Sequence, residues 1–117
     1  MPTTVLIVDD HPSFRASARR MLEADGYAVV GEAEDGAAAL SAVRELRPDL
    51  VLLDVQLPDF DGFEVAARLE AAGECPAIVL TSSREISDLG SAVADSPARG
   101  FVTKGELSSE RLAALTG

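Results

Sequence analysis

Positive charge is scarce in this chain. Of its 117 residues ten are Lys or Arg against twenty Asp or Glu, a formal charge of -10, and Lys104 is the only lysine. So acidic a surface repels the phosphates of nucleic acids and the headgroups of anionic lipid, so neither nucleic acid nor membrane is expected as a partner of this domain. Cysteine occurs once, at Cys75 before Pro76, so no internal disulfide can form. That usage suits a reducing cytosol, with Cys75 a passive thiol rather than a nucleophile. No apolar run approaches the ~20 residues of a membrane span, and the N-terminus has no basic segment followed by an apolar run and a small-residue cleavage site. The expectation is a cytoplasmic protein. With 47% hydrophobic residues and no internal repeats, low-complexity tracts or linkers, residues 1–117 fit one globular domain.

What is present alternates between two periodicities. "VLIV" at Val5 to Val8, "LVLL" at Leu50 to Leu53 and "AIVL" at Ala77 to Leu80 are apolar at every position. Such runs suit strands covered on both faces, as in a parallel sheet. Helices fall between them. After Pro12, Phe14, Ala18, Met21 and Leu22 share one helical face, and Gly26 follows as a stop signal. In "DGAAALSAVRELRPD", Ala39, Leu40, Val43 and Leu46 form a stripe closed by Pro48. "GFEVAARLEAAG" predicts a third helix over residues 62–73, with Phe63, Ala66 and Leu69 inward. "REISDLGSAVADSP" predicts only a weak fourth helix, since Gly90, Pro97 and several Ser and Asp residues oppose it. "GFVTK" reads as a short strand and "SSERLAAL" as a final helix capped by Ser108 or Ser109. With "YAVVGEA" at Tyr27 to Ala33 as the second strand, five βα units follow one another, which implies right-handed crossovers and a doubly wound α/β sheet with helices on both faces.

In that architecture function collects at the carboxyl ends of the strands. There the chain places Asp9 and Asp10 after strand one, Asp54 after strand three, Thr81 after strand four and Lys104 after strand five. Singly, each has a plain structural role as turn former, helix cap or solvated group. Together, three acids, a hydroxyl and the only lysine converge on one edge. Two carboxylates about 5 Å apart repel by roughly 3 kcal/mol at an effective dielectric of ~20, so Asp9 and Asp10 call for a compensating cation or proton.

"VLIVDDHP", "LVLLDVQLPDFDG", "IVLTSS" and "GFVTKGE" together resemble the signature segments of the response-regulator receiver domain of two-component signalling, spaced as in that family across essentially the whole chain. The resemblance implies a five-stranded parallel sheet of flavodoxin-like order 2-1-3-4-5. It implies Asp54 as the phosphoacceptor, attacking a phosphohistidine of a sensor histidine kinase or phosphotransfer protein. Asp10, Asp54 and the backbone carbonyl of Gln56 would ligate Mg²⁺ directly and Asp9 largely through water, which suits a hard cation. Lys104 would pair with a phosphoryl oxygen and the Thr81 hydroxyl would follow the phosphate. Phe101 stands at the family's aromatic switch position, where it reads equally as a core aromatic; tyrosine is common there, and Phe lacks its hydroxyl. Gln56 and Ser83 match positions that tune dephosphorylation. Gly105 replaces a frequent proline after the lysine, so a trans peptide is expected. The weak fourth helix lies where the family's signalling surface usually forms.

His11 lacks companion ligands in its local sequence and resembles a family residue that merely opens helix one, so neither a metal nor a phosphohistidine role is expected. Asp59 and Asp61 read as turn formers before Gly62. A flavin-binding electron carrier would share the architecture, but Asp9 and Asp10 would repel its phosphate. A phosphatase with an aspartyl intermediate lacks a discernible cap domain or substrate pocket, and a phosphorylation-independent pseudo-receiver would not need all five site residues. "DDHP" is most like receivers that precede helix-turn-helix outputs, yet Gly117 follows directly on the last helix. The expectation is therefore a non-enzymatic, stand-alone switch that catalyses only its own phosphorylation and dephosphorylation. It would act through a downstream protein partner or a homodimer, with a surface near Ile86 to Val93, Phe101 and the last helix, and the input domain of a transcriptional regulator is the alternative.

Overall fold

The computed structural model describes residues 2–74, 76–83 and 91–116. The expectations for Cys75, for Ile86 and for the first half of the fourth helix fall outside those residues. The chain runs β1 (Thr4–Val8), α1 (Pro12–Ala24), β2 (Ala28–Ala33), α2 (Gly36–Leu46), β3 (Leu50–Asp54), α3 (Gly62–Ala71) and β4 (Ala77–Ser82). It continues through α4 (Ser91–Asp95), β5 (Gly100–Thr103), a 3-10 turn (Lys104–Glu106) and α5 (Ser109–Thr116). The strands form one parallel sheet in the order β2-β1-β3-β4-β5.

Because side chains alternate across a strand, the apolar runs feed two cores. Val5, Ile7, Leu50, Leu52, Val79 and Val102 pack with Ala18 and Leu22 of α1 and Leu112 of α5. Leu6, Val8, Val51, Leu53, Ile78 and Leu80 pack with Ala39 and Val43 of α2 and with Val65, Ala66 and Leu69 of α3. Val65 joins Ala66 and Leu69 in the buried stripe of α3, while Phe63 is only half-buried. Leu46, expected inside, is 41% exposed. It ends α2 over the edge strand β2, where Gly31 leaves space: a Cβ there would lie 2.7 Å from the Leu46 Cδ1.

Local chemistry sets the helix ends. Pro12 opens α1, and Gly26, at φ +92, lets the chain turn away after it. Asp35 accepts from Ala38 N (2.7 Å) at the start of α2 and Asp61 from Glu64 N (2.8 Å) at the start of α3. Of the two serines offered to α5, Ser108 is the cap, accepting from Arg111 N at 3.1 Å. Ser109 instead donates to Asp25 (2.6 Å). Of the predicted fourth helix, the described residues include a helix over Ser91–Asp95.

Candidate functional site at the carboxyl edge of the sheet

Asp9 leaves β1 next to the central strand, and its backbone N–H still donates to Ala33 O (3.0 Å), continuing the ladder to β2. Asp54 ends β3 in register with Thr81 of β4, and Val55 N donates to Thr81 O at 2.9 Å. The sheet thereby forces the side chains of Asp9 and Asp54 into the protein rather than into water: Asp9 is 0% and Asp54 2% exposed. Lys104, where β5 passes into the 3-10 turn, reaches both. Its Nζ lies 2.7 Å from Asp9 Oδ2, an ion pair without the alignment of a hydrogen bond, and donates to Asp54 Oδ2 at 3.3 Å. The ammonium also sits over the Phe14 ring, 4.7 Å from its centroid. Phe14 was legible only as a core position of α1; its second role as a floor for the lysine head depends on how α1 lies against β5.

The electrostatics follow from burial. Asp54 is pushed above its ordinary pKa first by desolvation and then by the charge of Asp9, with Lys104 and the Gln56 N–H (3.2 Å from Oδ1) working against the rise. For Lys104, burial works to lower the pKa, but the contact with Asp9 and the charges of Asp54 and Asp9 outweigh it and hold the ammonium above its ordinary value. One cation faces two buried acids, and Asp10, more exposed, adds a third negative charge at the rim. Among the described residues the buried Thr81 hydroxyl has no hydrogen-bond partner. A site with surplus buried negative charge and an unsatisfied hydroxyl is built for something that brings positive charge and acceptor oxygens.

His11 is where the structure departs most from the sequence reading. Its N–H donates to Asp9 Oδ1 (2.8 Å), and its ring Nδ1 lies 3.0 Å from the same oxygen and 3.1 Å from Asp10 Oδ1. Ligand atoms of Asp9, Asp10, His11 and Asp54 all fall within 4.8 Å of one another, a group able to hold a metal ion. The acid pair next to it in sequence folds back onto its ring, and β3 brings Asp54. Gln56 lies exposed in the loop after Asp54, Ser83 is exposed two residues beyond Thr81, and Phe101 is half-buried against the α2–α3 side of the core. The Lys104–Gly105 peptide is trans.

Three supporting residues take on roles beyond what their local sequence signals. Arg15 donates from Nη1 to Asp9 O (2.6 Å), fixing the turn between the acid pair and α1. Gly62, read only as the end of a turn, packs directly on the acid loop: a Cβ there would lie 2.4 Å from Asp54 O and 3.0 Å from Val55 Cα. Asp59 does more than form its turn, because it accepts from Gly36 N (2.8 Å) and Ala37 N (2.9 Å) and so caps α2 from a distant loop. Asp61, by contrast, is the local cap of α3 already described.

Fold and site together define a parallel α/β domain with a buried acid–lysine centre at its carboxyl edge, and the chain belongs to the response regulator receiver domain family, whose model matches residues 5–116. It is similar to the DNA-binding response regulator MtrA of Mycolicibacterium smegmatis, 43% identical over 91 residues, which cover 76% of this chain and 39% of that protein. It is also similar to response regulator MprA of a Mycobacterium species, 43% identical over 89 residues covering 75% and 38%. Among solved structures, a two-component response regulator of the LuxR family from Aurantimonas superposes with a TM-score of 0.87 at 32% identity, covering 98% of this chain and 86% of that one. The chain spans about half, or less, of the length of the curated relatives it matches. No helix among the described residues is long and apolar enough to cross a membrane.

Proposed function

We propose that residues 1–117 form a single phosphorylation-activated receiver in which Asp54 accepts a phosphoryl group from a sensor histidine kinase or phosphotransfer protein. The observation that carries this reading is the placement of Asp54: buried, in register with a Thr81 hydroxyl that no described residue partners, and within 3.3 Å of the only lysine. An Asp54 carboxylate oxygen attacks phosphorus as the P–N bond of the phosphohistidine breaks, and the imidazole leaves with the bond's electron pair. Lys104 moves from two carboxylates to a phosphoryl oxygen, and Thr81 gains an acceptor for its hydroxyl. Asp9, Asp10, Asp54 and the Gln56 carbonyl would hold Mg²⁺, which when bound neutralises the acids and the charge developing on the transferring group.

Movement of Thr81 toward the phosphate frees space beside Phe101, whose half-buried ring can repack without breaking a hydrogen bond. Gln56 and Ser83, both exposed at the rim, are placed to tune the access of water and hence dephosphorylation. The domain works in the cytoplasm, catalyses only its own phosphorylation and dephosphorylation, and reads out through affinity for a downstream protein partner or for a second copy, by a coupling of ~1 to 3 kcal/mol. The second reading, an input domain of a transcriptional regulator, is favoured by the longer relatives, one of which is named a DNA-binding response regulator.

Intact-mass measurement after incubation with acetyl phosphate and Mg²⁺ tests the assignment. One phosphoryl group should add to the wild type and none to Asp54→Asn; label that persists on the variant would overturn it.

A further inference from the structure

We propose that Asp59 is a positioning residue: it anchors the tip of the loop after Asp54 to the first turn of α2, and the anchor sets the direction of the Gln56 carbonyl. This rests on the receiver reading above, in which that carbonyl helps to hold Mg²⁺, and concerns a residue outside that reading's site.

The loop from Val55 to Asp61 leaves β3 directly after Asp54 and is held at both stem and tip. Backbone bonds close the stem: Val55 N donates to Thr81 O at 2.9 Å and Gly62 N to Val55 O at 2.8 Å. Side chains hold the tip. Asp59 Oδ1 accepts from Gly36 N and Oδ2 from Ala37 N, at 2.8 and 2.9 Å, and Oδ1 also accepts from Phe60 N at 2.8 Å. The Phe60 ring makes the other half of the anchor. It occupies the space a side chain at Gly36 would need, since a Cβ there would stand 2.5 Å from Phe60 Cε2, and the Arg68 guanidinium lies over the ring, 4.1 Å from its centroid.

The helix does not depend on Asp59 to begin. Asp35 already caps it locally, accepting from Ala38 N at 2.7 Å, so the bonds to Gly36 and Ala37 fasten the loop to α2 as much as they serve α2. Gln56 lies between stem and tip. Its N–H is committed to Asp54 Oδ1 at 3.2 Å, and its carbonyl belongs to the next peptide unit, shared with Leu57 on the side of the tip. Leu57 packs against the α2–α3 core, so that peptide is placed by the face to which Asp59 ties the loop. Groups that orient a ligand without touching the ion are typically worth ~10- to 100-fold in metal affinity, because an unrestrained ligand must be ordered when the ion binds. The reacting groups are untouched, so the anchor alters how readily the ion binds and not whether Asp54 can be labelled.

Titration calorimetry with MgCl₂ gives the direct test. Asp59→Ala should bind Mg²⁺ at least about tenfold more weakly than the wild type. Asp35→Ala is the control: it removes a cap from the same helix and leaves the loop anchored, so its affinity should stay within about twofold of wild type. Amide exchange at Gln56 and Leu57 should quicken in Asp59→Ala and not in Asp35→Ala. Unchanged affinity or unchanged exchange in Asp59→Ala, or an equal loss in Asp35→Ala, would overturn the proposal, the last because helix stability alone would then explain it. If Asp59→Ala does not fold, Gly36→Ala takes its place with the same expectation, since its methyl displaces the Phe60 ring while adding a better helix former. Acetyl-phosphate labelling of the wild type separates the two readings. If it is labelled but Asp59→Ala binds Mg²⁺ as tightly, the anchor fails and the receiver stands; if the wild type neither binds Mg²⁺ nor is labelled, both fall.

Discussion

Asp49 and Asp54 bracket the same central strand, and they experience opposite environments. Asp49, at the entrance, is exposed and well supplied with donors: its Oδ2 accepts from Thr4 N at 3.0 Å and from the Thr4 hydroxyl at 3.1 Å. The Thr4 backbone and side-chain hydrogen bonds hold its pKa below the ordinary carboxylate value. Asp54, at the exit, has lost its water, shares its surroundings with another acid, and is pushed above that value by burial. Five residues apart, one carboxylate serves β1–β3 alignment and the other is kept in a costly buried state. On the proposed reading, stability and function are divided between the two ends of one strand.

The comparison breaks first at labelling. Asp54→Asn should abolish acetyl-phosphate labelling, whereas Asp49→Asn and Asp59→Asn should retain it in an intact-mass assay. A second, thermodynamic difference lies in the response to Mg²⁺. At a hundredfold excess over its dissociation constant the ion should stabilise the wild type by about 2.7 kcal/mol in urea unfolding. Asp10→Asn should stabilise the metal-free protein and remove most of that gain, while Asp49→Asn should leave the gain intact. Third, Gly62→Ala should cost about 1–3 kcal/mol, because its new methyl meets the backbone at Asp54 rather than a displaceable side chain.

The smallest effect is the pH dependence, and its sign differs between the two acids. A raised folded pKa means that Asp54 favours folding fully below its unfolded pKa, ordinarily 3.8, with the contribution lost as pH rises through the folded value. Asp49, lowered from the same 3.8, contributes above its unfolded value and loses that contribution as pH falls through its folded one. In metal-free urea melts from pH 3 to 7, Asp54→Asn should therefore gain stability relative to wild type toward neutral pH and Asp49→Asn should lose it. The same trend in both variants would erase the distinction between the two ends.

Much of this was legible from residues 5–8, 50–53 and 77–80, because a strand buried on both faces must be apolar throughout, and from Pro12, Gly26 and Pro48, whose backbone restrictions punctuate helices locally. The separation of Asp9, Asp54, Thr81 and Lys104 at four strand ends was enough to bring them together once parallel order was granted. Leu46 misled because periodicity records a helix's apolar stripe but not where the sheet beneath it stops. Phe14, Arg15, Asp59 and His11 acquired their roles from contacts that no local spacing encodes.

The sequence by itself determined the alternation of elements, the parallel sheet and the edge on which the acids gather, since each follows from local periodicity and from the handedness of crossovers. Only the tertiary structure decided which carboxylate would be satisfied and which left in need. That depends on how deeply each is buried and on what approaches it: Thr4 at one end of β3, and Asp9, Lys104 and the His11 loop at the other. Those are distances between segments up to 50 residues apart in the chain, set by packing rather than by neighbours in sequence.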